Sequence, residues 1–212
     1  MAKRPVFAAG DTMGTVHRRD VDFQWFAGLS DAQKRRCIDS LHAAYQQRYP
    51  GQRVLEISSK SREELGVKLS AFNLTRFVPS LSRSVPVECL FQGSKKFAGG
   101  GPFTDLYEGR PIDAKRDPRL RESGSRIAYV FEGHEYPVCP RTAFYNWLWC
   151  STLLEHPDLA EELLGYDAFT DIVFNPEKSS NCQAEAAAIF VGLARRGMLE
   201  AICDFDAFVR LL

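Results

Sequence analysis

The sequence predicts one α+β domain, helix-dominated, with a few short antiparallel strands. Three observations point there. Long stretches carry apolar residues at three- and four-residue spacing, the signature of amphipathic helices. Strand-like runs are short and are bounded by Gly or Pro. The 212 residues are 45% hydrophobic and 12% aromatic, without internal repeat or interior linker, so a single core is expected.

Residues 1–20 are polar, glycine-containing and aperiodic, and read as a flexible N-terminal arm ahead of a domain at 21–212. DFQWF, residues 22–26, alternates and suits a short strand. Ser30 with Gln33 gives a capping-box pattern. Cys37, Ile38, Leu41, Tyr45 and Tyr49 then predict a helix over 31–48, which Pro50-Gly51 stops. RVLEIS, 53–58, suits a strand, and Ser61 with Glu64 repeats the capping-box pattern before Gly66. Residues 69–74 read as extended or irregular, and Pro79 and Pro86 bracket a serine-rich loop.

VPVECLFQGSKKF, 85–97, reads as an amphipathic helix that starts near Pro86 and is broken by the glycines before Pro102. Residues 126–131 and 135–138 flank Gly133 as a hairpin, with Pro137 confining the second arm to an edge. Two helices follow over 141–156 and from Pro157, then an irregular stretch. Ser180 and Gln183 open a longer helix to Arg196, closed by Gly197, and a short helix carries Ala201 to Leu211.

Composition excludes several classes. Lys+Arg and Asp+Glu both total 27, which argues against a nonspecific nucleic-acid binder but leaves room for a small piece of nucleic acid in a pocket. The six cysteines are scattered without a CxxC, and the four histidines are not near them, so neither a disulfide framework nor a metal site is expected. No apolar run approaches the ~20 residues of a bilayer span. The basic start lacks a long apolar core, and a cytoplasmic location is expected. There is no GxGxxG, Walker loop or GxSxG, and no cofactor is expected.

The candidate chemistry is a stripe. On a helix, Glu88, Gln92 and Lys95 fall within about 60° of each other, whereas Lys96 points about 100° away from Lys95. The stripe is either a solvated face or a polar constellation aimed into a pocket. Glu88 lies among Val87, Cys89, Leu90 and Phe91. Apolar surroundings favour a protonated carboxyl, which suits general-acid work; the alternative is a surface acid at a helix start. Lys95 is either a nucleophile activated by desolvation or an ordinary helix-end lysine. Asp167 and Asp171 sit among Tyr166, Phe169 and Phe174, as loop catalysts or as turn-makers. Asn181 suits a helix cap. Trp147 and Trp149 suit the core, with base stacking as the alternative for one of them. Residues 110–126 are mildly basic, as a solvated segment or a phosphate contact.

Five stretches resemble, in order, the motifs of NADAR (YbiA-like) domains. Leu69-Ser70-Ala71-Phe72 resembles the family's LSNF, and residues 87–95 resemble its SVExxxQxxK. His156 to Leu164 resembles its helix before the acidic loop, Asp171 to Asn175 its DxxWG, and Asn181 to Ala184 its GxNxLG. The resemblance spans residues 54–200. ELGVKLSAFNL, GGPFTDLY and YDAFTDIVFNP are closer still to the NADAR subfamily paired with DarT-type DNA ADP-ribosyltransferase toxins. Ala71 stands in place of the motif Asn, Phe174 of the Trp, and Asn175 and Ala184 of glycines.

The resemblance implies an antitoxin enzyme that hydrolyses the N-glycosidic bond between ADP-ribose and guanine in DNA or RNA. It implies Glu88, Lys95 and Asp171 as catalytic residues. Ser70, Phe72, Gln92, Asp167, Phe174 and Asn181 would contact the substrate, with Arg76, Lys115 and Arg119 as candidate phosphate contacts. Three alternatives remain: a non-catalytic ADP-ribose or modified-nucleotide reader, an N-glycosidase on a riboflavin-pathway nucleotide, and an antitoxin that sequesters its toxin by contact.

Overall fold

The structure is a computed structural model and describes residues 1–10, 16–177 and 180–212. Its centre is a sheet begun by strands β1 (Ala2–Ala9) and β2 (Val16–Phe23), which pair antiparallel from Ala2↔Phe23 to Ala9↔Val16. This corrects the expectation of a loose arm for residues 1–10 and 16–20; the part of that arm at 11–15 lies outside the described residues. The signal was hidden because β1 is covered on both sides. Phe7 and Ala9 enter one core, Val6 and Ala8 the other, so the buried run shows no alternation.

Helix α1 (Asp31–Arg48) follows, and Ser30 Oγ accepts from Gln33 N–H at 3.3 Å as its capping pattern requires. Cys37, Ile38, Leu41 and Tyr45 pack this helix on one face of the sheet. Strand β3 (Val54–Glu56) and helix α2 (Glu64–Lys68) come next. The second capping box does not form: Ser61 Oγ accepts from Glu63 N–H, and Glu64 pairs with Lys68 at 2.8 Å.

Strands β4 (Thr75–Val78) and β5 (Arg83–Pro86) make a hairpin that runs into helix α3 (Val87–Gly93). The helix predicted over 86–97 ends at Gly93. A Cβ there would lie 2.5 Å from the Tyr107 ring, so the approach requires glycine. The chain turns at Ser94 and becomes strand β6 (Lys95–Phe97). Helices α4 (Pro111–Arg116) and α5 (Arg119–Glu122) lead to β7 (Arg126–Phe131) and the edge strand β8 (His134–Tyr136), which form a three-stranded sheet with β6.

Helices α6 (Ala143–Leu153) and α7 (Pro157–Leu163) precede strand β9 (Ala168–Thr170), which fills the central sheet in the order β2-β1-β9-β3. The α+β class holds, with one parallel pair, β3–β9. Helix α8 (Gln183–Arg195) ends in a Schellman motif, where Gly197 at φ +67° donates to Ala194 O and Met198 donates to Leu193 O. Helix α9 (Phe205–Val209) closes the fold. Trp147 and Trp149 are buried, donating to Ile202 O and Leu69 O, so neither is placed to stack on a base.

His42 of α1 bonds Thr170 Oγ1 at 2.8 Å, and burial holds its pKa down to about 4. The unfolded chain then takes up this proton first, so stability is lost as pH falls from 6.5 towards 4. The loss should be about 3 kcal/mol. Urea midpoints at pH 7 and 4.5 should therefore differ more in the wild type than in His42→Gln. Equal differences would remove His42 from the acid response.

Candidate active site

Two backbone segments distant in sequence are tied together by one side chain. Gln183, at the start of α8, accepts from Ala71 N–H through Oε1 at 2.7 Å. Its Nε2 donates to Ile57 O at 2.6 Å and to Asp171 Oδ2 at 3.1 Å. Ala71 O in turn accepts from Glu88 N–H at 2.8 Å. The loop carrying Ser70 and Phe72, the head of α3 and the loop after β9 are thereby fixed against each other.

On that frame stands a chain of polar side chains. Glu88 is 5% exposed and Gln92 6%. Gln92 Nε2 donates to Glu88 Oε1 at 2.8 Å, and Lys95 Nζ donates to Gln92 Oε1 at 2.5 Å. Lys95 is on β6 rather than on the helix, yet the turn at Ser94 returns it to Gln92. Lys96 points away and pairs with Glu135. The Lys95 ammonium lies 4.4 Å from the Phe91 ring centre. Burial, then the positive charge of Arg126, lowers its pKa to about 8, against the opposing pull of Glu88. Lys115 Nζ lies 3.7 Å from Glu88 Oε1 and 5.5 Å from the Phe72 ring centre.

Asp171 Oδ1 accepts from Val173 N–H and Phe174 N–H. Burial and the neighbouring Glu56 carboxyl push Asp171 up to about 7, while Lys115 acts in the opposite sense. Glu56 is buried and accepts from Thr170 Oγ1 at 2.6 Å, Ile172 N–H at 2.8 Å and Ser58 Oγ at 2.7 Å. Burial raises its pKa as well. Tyr145 feels both Glu88 and Asp171, and burial together with these acids raises its phenol. Lys115 likewise acts on both carboxyls, so Glu88, Gln92, Lys95 and Asp171 share one polar neighbourhood.

The other candidates are placed as follows. Phe72 lies beneath Lys115, and Phe174 packs partly buried against the larger core. Ser70 turns its hydroxyl inward to Val67 O at 2.9 Å. Asn181 sits one residue before Cys182, which occupies the cap position of α8. Asp167 is not brought to the others. It lies at the opposite end of β9, about 13 Å of extended chain from Asp171. There it holds Arg53 N–H at 2.8 Å and Arg195 at 2.7 Å. Arg76 is engaged by Glu132 and Glu155, and Arg119 by Asp105 and Asp117. A cavity of about 470 Å³ between the tip of the β4–β5 hairpin and the β7–β8 turn touches none of the Glu88, Gln92, Lys95 and Asp171 group.

Glu56, Tyr145 and the bridging role of Gln183 escaped the sequence reading. Gln183 showed itself only as a helix-start residue. Glu56 lies in a strand whose three residues are all buried, and Tyr145 is one aromatic among many in α6.

A family model described as DarT1-associated NADAR antitoxin matches residues 2–212. The chain belongs to this family. The match takes in the β1–β2 hairpin, beyond the motifs that begin near residue 54. No curated protein matches the chain closely enough to serve as a relative. Among the described residues of this NADAR antitoxin, no helix is long and apolar enough to cross a membrane.

Proposed function

We propose that the protein is an ADP-ribosyl glycohydrolase that frees guanine bases of nucleic acid from ADP-ribose in the cytoplasm, countering a DarT1-type ADP-ribosyltransferase. The observation that carries this reading is the buried chain Glu88–Gln92–Lys95, which sets a proton carrier and an amine of lowered pKa on one amide bridge. The family match supports the antitoxin role.

Breaking the bond between guanine nitrogen and the anomeric carbon needs a proton for the leaving base and relief of positive charge at that carbon. Glu88 is engaged only through Oε1 among the described residues, which leaves Oε2 for the base. In the proposed course, Glu88 gives its proton to the base nitrogen while the bonding pair leaves with the base. The neutral Lys95 amine attacks the anomeric carbon and, with ring opening, forms an imine. Water, deprotonated by Asp171, adds to the imine carbon. Asp171 passes that proton to the amine, which leaves as neutral Lys95. The aldehyde proton returns to Glu88, and the ring hydroxyl, protonated by the amine on opening, closes on the aldehyde to give ADP-ribose with a free anomeric hydroxyl. Gln92 holds Lys95 and Glu88 in register. Phe72, Phe174 and Asn181 line the approach to the sugar, while Ser70, its hydroxyl given to Val67 O, holds the loop that carries Phe72.

The two pKa values set a pH dependence. Asp171 is ionised above about 7 and Lys95 is neutral above about 8, so both working forms gain as pH rises. The rate should climb through pH 7–8, and Asp171→Asn should remove the lower of the two inflections. A rate falling over that interval would contradict the assignment.

The substrate is tested with single-stranded DNA bearing ADP-ribose on one guanine, beside a thymine-linked control. Release of intact DNA from the first and none from the second is expected. Absence of release from the guanine substrate would overturn the reading.

A further inference from the structure

Among the basic residues at 110–126, Arg110 and Arg119 are bonded to carboxylates and Lys115 faces Glu88. Arg126 differs. Its Nε is buried and has no hydrogen-bond partner. Among the described residues, no carboxylate forms an ion pair with its guanidinium, which instead lies 4.8 Å from the centre of the Tyr129 ring. Tyr129 carries a second orphan. It is 1% exposed, it stacks on Phe144 at 4.3 Å, and its buried hydroxyl has no partner. A buried donor without a partner loses the hydrogen bond it made to water and gains none in return. Two such donors side by side form a site waiting for an acceptor.

The position of this pair is set by the β6–β7 ladder. Tyr129 is the cross-strand partner of Lys95. The register passes from Lys96↔Ala128 to Phe97↔Arg126, so Ile127 is the extra residue of a bulge and is exposed. The bulge re-aims Arg126 onto the Tyr129 ring, on the side where Lys95 lies against Phe91. Phe91 and Tyr129 rings are 5.7 Å apart, which places all four side chains in one cluster. The positive charges of Arg126 and Arg141 act on the Tyr129 phenol.

We propose that Arg126 and the Tyr129 hydroxyl form a phosphate subsite that grips the diphosphate of ADP-ribose beside Lys95. A guanidinium fork matches two phosphate oxygens, and a phenol O–H supplies a third bond. In ADP-ribose the diphosphate is separated from the reacting carbon by only the ribose ring and one methylene, so a diphosphate subsite belongs beside Lys95. The subsite rests on the glycohydrolase reading for the identity of its ligand. Phosphate of the nucleic-acid backbone has the same chemistry, and the test separates the two.

Binding of ADP-ribose, inorganic pyrophosphate and unmodified single-stranded DNA is measured by calorimetry. The proteins are the wild type, Arg126→Gln, Arg126→Lys and Tyr129→Phe. Arg126→Gln should weaken ADP-ribose about 10- to 100-fold, and Tyr129→Phe, which keeps the stack, about 3- to 10-fold. Arg126→Lys should fall between the wild type and Arg126→Gln, and DNA binding should not change. Unchanged ADP-ribose affinity in both Arg126→Gln and Tyr129→Phe would overturn the subsite. So would a loss confined to DNA, or a wild type that binds neither ADP-ribose nor pyrophosphate. Arg126-dependent pyrophosphate binding in a protein that releases no guanine would keep the subsite and remove the glycohydrolase reading.

Discussion

Glu88→Gln is expected to slow guanine release by about 10²- to 10⁴-fold while the protein stays folded. The amide has the size of the carboxyl, and its carbonyl oxygen can still accept from Gln92 Nε2, so the head of α3 keeps its bond. What is lost is the acid that can pass a proton to the leaving base. Stability should change little, because the amide fills the same volume and keeps the bond from Gln92. Substrate affinity should change far less than the rate, since the proton is needed at the moment the base leaves. A variant as fast as the wild type would take Glu88 out of the chemistry.

Lys95 carries the second large effect. If its amine bonds to the anomeric carbon, borohydride added during turnover should trap a protein–ADP-ribose adduct, seen as an increased intact mass. Lys95→Ala should show no adduct and should lose about 10³-fold or more in rate. Lys95→Arg separates the two roles. Arginine keeps a positive charge next to Gln92 but offers no nucleophilic amine, so it should be as slow as alanine if the imine forms. A purely electrostatic role predicts no adduct and substantial rescue by arginine. The position suits the nucleophile: burial and Arg126 bring the amine to about 8, where a useful fraction is neutral near physiological pH.

How far these features could be seen in the sequence depends on the range of the interactions that make them. Helix α1 announced itself through local periodicity and a cap, and α8 through its closing glycine, because those signals lie within a few residues. Strand β1 gave none, since it is buried on both faces, and the strand read at 22–26 overlaps only the last two residues of β2. The Glu88–Gln92–Lys95 grouping was legible, but part of its reason was wrong. Glu88 and Gln92 are one helical turn apart. Lys95 arrives from a strand, because α3 ends at Gly93 and β7 captures the chain beyond it.

Asp167 and Asp171 looked equivalent in an aromatic loop. The strand β9 between them sends one to Arg195 and the other to Gln183. Gln183 acts across 112 residues of sequence on Ala71, a separation that no local pattern encodes. The unpaired hydroxyl of Tyr129 likewise depends on what β7 and α6 place around it.

Catalysis at guanine is decided by counting turnovers. Single-stranded DNA carrying ADP-ribose on one guanine is incubated in large excess over protein, and free ADP-ribose is measured per protein molecule. Many equivalents are expected from the wild type, and a release rate lower by about 10²- to 10⁴-fold with Glu88→Gln. Stoichiometric capture of the modified DNA, with no free ADP-ribose, would contradict catalysis and leave a reader of the modification in place of an enzyme that removes it.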